Sequence, residues 1–179
     1  MIGILERTKY MVEATSKLEK AAMKRLLERD VTLEEIAELV YDLQEPYLDN
    51  LTMELCLDNV KAVLRKREVQ NAVLTGIELD VLTEEGKLAS PLQEIIKNDE
   101  GLYGIDEVLA LAIVNVYGSI GFTNFGYLDK VKPKVIERLD SLKGEDEVNT
   151  FLDDIVGAIA AAAASRIAHA EPEAEEGVD

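Results

Sequence analysis

The chain has 179 residues, which is enough for a single domain with a buried core. Its formal net charge of -17 excludes a non-specific nucleic-acid surface and a polybasic membrane anchor, because both need clustered lysine and arginine. A protein this acidic needs counterions, and divalent cations are natural ones. We expect no membrane-spanning run and no secretory signal at Met1, and therefore a cytoplasmic location. The single cysteine, Cys56, excludes an intrachain disulfide and is expected in the core.

Residues 1–30 predict an N-terminal helical arm. Leu18, Ala22 and Leu26 recur there at loosely helical spacing among many charged residues. Such an arm packs on its own domain or on another subunit, so a homo-oligomer is one expectation. Residues 31–170 are predicted to form the main helical domain, and residues 171–179 a disordered acidic tail.

Helix signals follow one another from residue 31 to residue 104. Thr32 and Glu35 form a capping box, and Ser90 followed by Pro91 predicts the N-cap and the first position of a short helix. The other signals are a cap at Thr52, a helix over Val69–Leu82, a turn at Glu84–Gly86, a polar loop over Asn98–Gly104 and a basic triplet, Arg65–Arg67. The triplet is either a solvated helix end or a contact for an anionic head group.

The C-terminal half is richer in apolar residues. The run Val108–Val114 predicts a helix that is buried on nearly all sides. The glycines of Gly118–Gly126 are expected to break the helix, in a turn that either connects two elements or hydrogen-bonds a ligand. Small apolar residues dominate Thr150–His169, which favours a helix that its neighbours approach closely. The predicted fold is therefore all-α, a single-domain helical bundle with this Ala-rich helix at its centre.

Acidic residues cluster at three predicted helix ends. The clusters are Asp106 with Glu107, Asp129 alone, and Asp153 with Asp154. Each cluster by itself is explained by the helix dipole, and Thr150 with Asp153 is close to a capping box. Together, and with Lys130 and Lys132 nearby, they form a plausible oxygen-ligand site. Mg²⁺ prefers one or two carboxylates with water and phosphate oxygens, and lysine binds phosphate as a point charge.

The order of these acidic residues resembles the phosphatidylglycerophosphatase A family. The shared pattern is Asp99-x-Gly101, Asp106-Glu107, Asp129-x-x-Lys132-Pro133 and Asp153-Asp154-Ile155-Val156. The likeness to the whole family covers residues 99–166. The likeness to its branch without spanning helices, the YutG or low-temperature-requirement C group, covers residues 31–169. Family members are bacterial, magnesium-dependent phosphatases that convert phosphatidylglycerol phosphate to phosphatidylglycerol.

The resemblance implies roles for the matching residues. The implied metal ligands are Asp106, Glu107, Asp129, Asp153 and Asp154; the implied catalytic residues are Asp129, Lys132 and Asp154. Substrate contacts are assigned to Asp99, Lys130 and Lys132, together with Asn124 from the glycine-rich turn. The attacking group is either water activated by Mg²⁺ or the Asp129 carboxylate. Membrane-embedded members commonly carry an arginine three residues before this aspartate, where the present chain has Gly126.

The expected ligand is a phosphorylated lipid, reached by peripheral contact with the membrane, or a small phosphomonoester. Two other function classes stay open. A non-catalytic metal-binding scaffold or regulator would keep the fold and the carboxylates without hydrolysis. An all-helical nucleotide pyrophosphohydrolase also gathers carboxylates around magnesium. Glu35-x-x-Glu38 fits the first acidic motif of those enzymes, but no ExxD partner follows it.

Overall fold

The computed structural model describes residues 16–142 and 147–170, and these residues fold into helices without a β-strand. This confirms the predicted all-α class. Residues 1–15 of the predicted arm and the predicted tail lie outside the described residues. The helices are α1 Lys17–Glu28, α2 Leu33–Gln44, α3 Met53–Leu64, α4 Arg67–Glu84, α5 Leu92–Lys97, α6 Ile105–Val114, α7 Gly118–Val131, α8 Val135–Ser141 and α9 Leu152–Ala170, with a 3₁₀ turn at Asn115–Tyr117.

Helix α9 is the centre of the bundle, as the sequence predicts. Every residue from Leu152 to Ser165 is buried, and the helix contacts α2, α3, α4, α6, α7 and α8. Small side chains let these neighbours approach it closely. The tightest approach is to α4 at Gly76, where an added Cβ would lie 3.0 Å from Phe151 Cβ and would meet Ile155 Cδ1.

Helix α1 packs on the same core. Ala22, Met23 and Leu26 are buried, and Arg25 forms an ion pair of 2.6 Å with Glu78 of α4. Over residues 17–28, the predicted arm therefore packs on its own domain. The homo-oligomer that the arm suggested stays a prediction.

Capping residues explain where several helices begin. The capping box of Thr32 and Glu35 at the start of α2 is confirmed, and Thr52 caps α3 through the N–H of Leu55. The prediction for Ser90 is wrong. Helix α5 begins one residue later than expected, so Pro91 occupies the N-cap position and makes no side-chain bond there.

The glycine-rich segment differs from its prediction. Gly118 begins α7 with a φ of 74°, and the helix then runs through Gly121 and Gly126 without a break. A Cβ at Gly121 would lie 3.1 Å from Val114 Cγ1, so this glycine allows close packing of two helices rather than a turn. The break falls earlier, at the 3₁₀ turn.

Helix α6 is less buried than its composition suggested. Ile105 and Val108 are 52% and 59% exposed, because α6 turns only its other face towards α4 and α9. The stretch Ile105–Val131 is long enough to cross a membrane, and its most apolar window, with a mean hydropathy of 1.5, is apolar enough; the sequence had predicted no such run. In the structure the 3₁₀ turn interrupts this stretch, and 28% of its most apolar window is buried in the bundle. It is the one such stretch in the described part of the chain.

Replacing Gly76 by alanine tests the close approach of α4 to α9. We expect Gly76→Ala to lower the free energy of unfolding by about 1–3 kcal/mol, because the new methyl group overpacks the contact. Urea unfolding followed by circular dichroism measures the change.

Gly126→Ala is the matched control, because an added Cβ there has no atom within 4 Å. We expect it to be neutral or to stabilise the protein by up to about 1 kcal/mol, since alanine is the better helix former. Equal effects of the two substitutions would contradict the packing described for Gly76.

Candidate metal and phosphate site

An acidic pocket of about 160 Å³ lies where α6 and α9 begin and α7 ends. The loop before α6 closes one side of it. The lining residues are Asp99, Glu100, Gly101, Gly104, Asp106, Glu107, Asp129, Lys132, Thr150, Asp153 and Asp154. Asp106, Asp153 and Asp154 are at most 9% exposed, so much of the charge is held away from bulk water.

The acidic pocket collects seven of the nine residues assigned from the sequence. These are Asp99, Asp106, Glu107, Asp129, Lys132, Asp153 and Asp154. Lys130 is exposed on α7 and does not line the pocket. Asn124 lines a different cleft, together with Gln44 of α2 and Tyr47 and Leu48, which follow that helix. Glu100 is a lining residue that the sequence analysis did not single out, although it stands beside Asp99 in the predicted polar loop.

The N-terminus of α9 is capped by a residue from another helix. The Asp80 carboxylate of α4 accepts the N–H of Phe151 at 3.1 Å and the N–H of Leu152 at 3.0 Å. Asp80 is fully buried. The predicted capping by Thr150 and Asp153 does not form. Thr150 instead donates its hydroxyl to the carbonyl oxygen of Ile96 at 2.7 Å, which ties α9 to the end of α5.

The position of Asp80 in the sequence indicates that its side chain is buried. Asp80 lies in register with Val69, Val73 and Ile77, on the face of α4 that becomes buried. A carboxylate in line with core residues needs hydrogen-bond donors in the interior. The register therefore indicates a buried acceptor, but which backbone groups it accepts from depends on the tertiary packing.

Arg29 fixes the loop before α9. Its guanidinium forms an ion pair of 2.6 Å with Glu84 and donates to the carbonyl oxygen of Val148 and to Asn149 Oδ1, both at 2.9 Å. Glu84 also accepts the N–H of Val148 at 2.8 Å. The segment that enters α9 is therefore held by α1 and α4. Asp153 and Asp154 follow it directly, so this network sets their position.

Lys132 connects the end of α7 to the start of α9. Its Nζ lies 2.7 Å from Asp140 Oδ1 and 3.3 Å from Asp153 Oδ2. The residue adopts a left-handed conformation, with a φ of 45°, as the C-cap of α7, and Pro133 follows it. This conformation ends the helix at the pocket wall. Asp140 was not predicted, since nothing in the spacing of α8 distinguishes it from an exposed aspartate.

Burial, together with nearby negative charge, raises the pKa of two groups in this region. Burial raises the pKa of Asp80 well above its usual range, and Asp153 adds to the rise. The N–H groups of Phe151 and Leu152 and the charge of Arg29 oppose it. Burial also raises the pKa of Tyr103, and Asp106 and Asp80 contribute to that rise. Both shifts follow from placing carboxylates together in a poorly hydrated interior.

The donor set of the acidic pocket fits Mg²⁺. Seven carboxylates and one ammonium group line it, a formal charge of -6, and the carboxylates supply only oxygen donors. Within residues 16–142 and 147–170, no three His, Cys, Asp or Glu side chains already stand in a metal-binding arrangement. Mg²⁺ needs no such cage, because it takes one or two carboxylates and completes its octahedron with water and phosphate oxygens.

Other residues singled out in the sequence lie away from the acidic pocket. Glu35 is used in the capping box and in an ion pair with Arg138, and Glu38 lies 3.8 Å from Lys134. The acidic motif of a pyrophosphohydrolase is therefore engaged in structural contacts. Arg65 and Arg67 line a cleft beside α1. Cys56 is buried, and burial raises its pKa to about 11, as fits a core thiol.

The fold and the pocket together define a class of protein: an all-helical bundle whose central helix begins at a carboxylate-lined pocket. The family model of phosphatidylglycerophosphatase A matches residues 32–169, a region that includes the whole pocket. The chain belongs to the phosphatidylglycerophosphatase A family, as the sequence pattern predicted.

The relatives confirm the predicted branch of the family. The uncharacterized protein YutG of Bacillus subtilis is 59% identical over 157 residues, which cover 88% of this chain and 94% of that protein. The crystal structure of the low temperature requirement C protein from Listeria monocytogenes matches with a TM-score of 0.84 and 63% identity, covering 87% of this chain and 98% of that one. A protein of unknown function from Bacillus stearothermophilus matches with a TM-score of 0.83 and 63% identity, covering 87% and 96%.

Removing the Asp80 side chain tests the cap of α9. We expect Asp80→Ala to lower the free energy of unfolding by about 2–4 kcal/mol, because two buried N–H groups lose their acceptor. Thr52→Ala is the matched control, since Thr52 caps the exposed start of α3, and about 1 kcal/mol is expected for it. Chemical unfolding measures both. An Asp80→Ala cost no larger than that of Thr52→Ala would show that Asp80 does not hold the central helix.

Asp80 also makes the stability depend on pH. The pKa of an unfolded aspartate is about 3.9, and the folded pKa is higher, so between the two values the folded state holds the extra proton. The stabilisation from this proton is complete below about pH 3.9 and is lost as the pH rises through the folded pKa. The stability of the wild-type protein relative to Asp80→Asn should therefore fall as the pH rises above about 4. Unfolding curves for both proteins that kept a constant separation would contradict the shift.

Proposed function

We propose that this protein is a magnesium-dependent phosphomonoester hydrolase, with phosphatidylglycerol phosphate as its substrate. The observation that carries the proposal is the acidic pocket, in which Asp106, Asp129, Asp153 and Asp154 from three helices face one volume beside Lys132. Family membership supports the same reaction. An acidic pocket alone would fit many functions, but the combination with one lysine and this order of motifs favours phosphate chemistry.

The charge of the pocket is the argument for a metal. A phosphomonoester carries up to two negative charges, and a lining of formal charge -6 repels it. Divalent cations bound to the carboxylates would reverse this repulsion. We assign Asp106, Glu107, Asp129, Asp153 and Asp154 to hold them, because all five line the pocket. When bound, Mg²⁺ neutralises phosphoryl oxygens and stabilises the leaving alkoxide.

Among the residues that the structure describes, Lys132 is the one lysine or arginine that lines the acidic pocket. Asp140 and Asp153 hold its ammonium group at the pocket wall, within reach of an entering phosphate. This ammonium group would balance the negative charge of the phosphate as a point charge. The attacking group is either water or the Asp129 carboxylate, since the lining is compatible with both. If the attacking group is water, Asp129 at the end of α7 would activate it.

The size and rim of the pocket favour a lipid substrate. A volume of about 160 Å³ is smaller than the roughly 300–1,000 Å³ of sites that enclose whole small molecules, so it accommodates a phosphate head group with its metal. Leu102, Ile105 and Val108 follow lining residues in the sequence and are 101%, 52% and 59% exposed. Exposed apolar residues that neighbour a phosphate site in the sequence are suited to contact with the acyl region of a lipid at a membrane surface. We therefore place the protein in the cytoplasm, in peripheral contact with the membrane.

Phosphate release by the purified protein tests the proposal. We expect magnesium-dependent release from phosphatidylglycerol phosphate in mixed micelles, with kcat/KM lowered at least about 100-fold by Asp154→Asn, because a ligand of the developing charge is lost. Asp58→Asn is the matched control, since Asp58 is exposed on α3 and pairs with Lys61, and it should retain full activity. Circular dichroism would check that both variants keep their helicity.

A panel of soluble phosphomonoesters separates the chemistry from the lipid. Release from soluble esters alone would support the hydrolase activity and contradict the lipid substrate. Full activity of Asp154→Asn would remove this residue from the site. Magnesium binding without release from any ester would instead support a non-catalytic metal-binding regulator.

A further inference from the structure

Asp140 of α8 contacts the lysine of the acidic pocket without lining the pocket itself. Its Oδ1 lies 2.7 Å from Lys132 Nζ, and its side chain is 41% exposed. The order of acidic motifs that defines the family pattern does not include this residue. A carboxylate that holds a pocket residue from outside the pocket controls where the side chain of that residue points.

The Lys132 ammonium group is shared unequally between two carboxylates. Its Nζ is 2.7 Å from Asp140 Oδ1 and 3.3 Å from Asp153 Oδ2. Hydrogen bonds between an ammonium group and a carboxylate are usually about 2.7–2.9 Å long. The contact with Asp140 is therefore a full hydrogen bond, whereas the contact with Asp153 is stretched. The ammonium group is held mainly by Asp140.

The backbone between α7 and α8 is anchored on both sides of Pro133. Lys132 and Lys134 have left-handed φ values of 45° and 53°. Residues other than glycine adopt such conformations at a cost and keep them where surrounding contacts hold them. Lys134 supplies one of these contacts, an ion pair of 2.6 Å with Asp42 of α2. The side chain of Lys132 therefore starts from a fixed point, next to Asp140.

Asp153 is a carboxylate for which Lys132 and a metal ion would compete. It lines the acidic pocket and is 2% exposed. An oxygen that accepts from an ammonium group offers less negative potential to a second cation, and the ammonium group also repels that cation. A Lys132 side chain bound tightly to Asp153 would therefore oppose metal binding. Because Asp140 draws the ammonium group away, the Asp153 carboxylate stays available.

We propose that Asp140 is a positioning residue of the metal site: it holds the Lys132 ammonium group at the pocket wall and so leaves the Asp153 carboxylate to the metal. The inference rests on the proposed function, since it takes the acidic pocket to bind a divalent cation. It goes beyond that function by giving α8 control over metal affinity. Asp140 acts through Lys132 and touches neither metal nor substrate.

Calorimetric titration of the full-length protein with Mn²⁺, in the absence of substrate, tests the proposal. We expect Asp140→Asn to weaken Mn²⁺ binding about fivefold, because the ammonium group moves onto Asp153. Glu137→Gln is the matched control, since it removes a charge from an exposed position of the same helix. Its effect should be less than about twofold, because solvent and salt screen exposed charges. Asp140→Glu keeps the charge, so its affinity should stay closer to that of the wild type than to that of Asp140→Asn.

A double-mutant cycle with Lys132→Met separates an action through Lys132 from a direct effect of charge. Lys132→Met alone should tighten Mn²⁺ binding, because the competing ammonium group is gone. In that background Asp140→Asn should weaken binding less than about twofold. An equal loss in both backgrounds, or no loss in Asp140→Asn, would overturn the role of Asp140 and leave the proposed hydrolase standing. A wild-type protein that binds no Mn²⁺ would overturn both.

Discussion

The hydrogen bonds that the buried Asp80 side chain accepts at the N-terminus of α9 fix the start of the central helix. Thr150 donates its hydroxyl to the carbonyl oxygen of Ile96, and the first residues of the central helix are buried, so the first N–H groups need an acceptor from another helix. Asp80 accepts two of them, Arg29 and Glu84 hold the preceding loop, and Thr150 reaches across to α5. Because Asp153 and Asp154 follow this junction immediately, the same contacts that start the helix also position the acidic pocket.

A central helix of small residues has a second consequence. Its neighbours pack so closely that position 76 has room only for glycine. Several of these neighbouring helices begin or end near the two ends of α9. Carboxylates line the pocket at the N-terminal end, and residues with neutral amide and hydroxyl groups line the cleft at the C-terminal end. One helix thus supports two chemically different concavities about 21 Å apart along its axis. Charge concentrated at the N-terminal end favours a metal there.

Local patterns could be predicted from the sequence, and contacts between distant segments could not. The capping box of Thr32, the Ala-rich centre and the order of the acidic motifs all depend on near neighbours in the chain. The partners of Asp80 and Asp140 depend on which helices meet. The register of Asp80 with core residues indicates that it is buried but not which N–H groups it accepts from, and no local spacing separates Asp140 from an ordinary helix residue. Gly118–Gly126 misled the prediction because glycine suits both turns and close helix packing, and the tertiary contact with Val114 decided between them.

We expect the acidic pocket to hold a divalent cation. Anomalous diffraction from crystals soaked with Mn²⁺, which substitutes for Mg²⁺ at oxygen sites, is the experiment that would locate it. One or two peaks should lie in the pocket, within about 2.5 Å of carboxylate oxygens of Asp106, Asp129, Asp153 or Asp154. An empty pocket, at a Mn²⁺ concentration that supports phosphate release in solution, would contradict it.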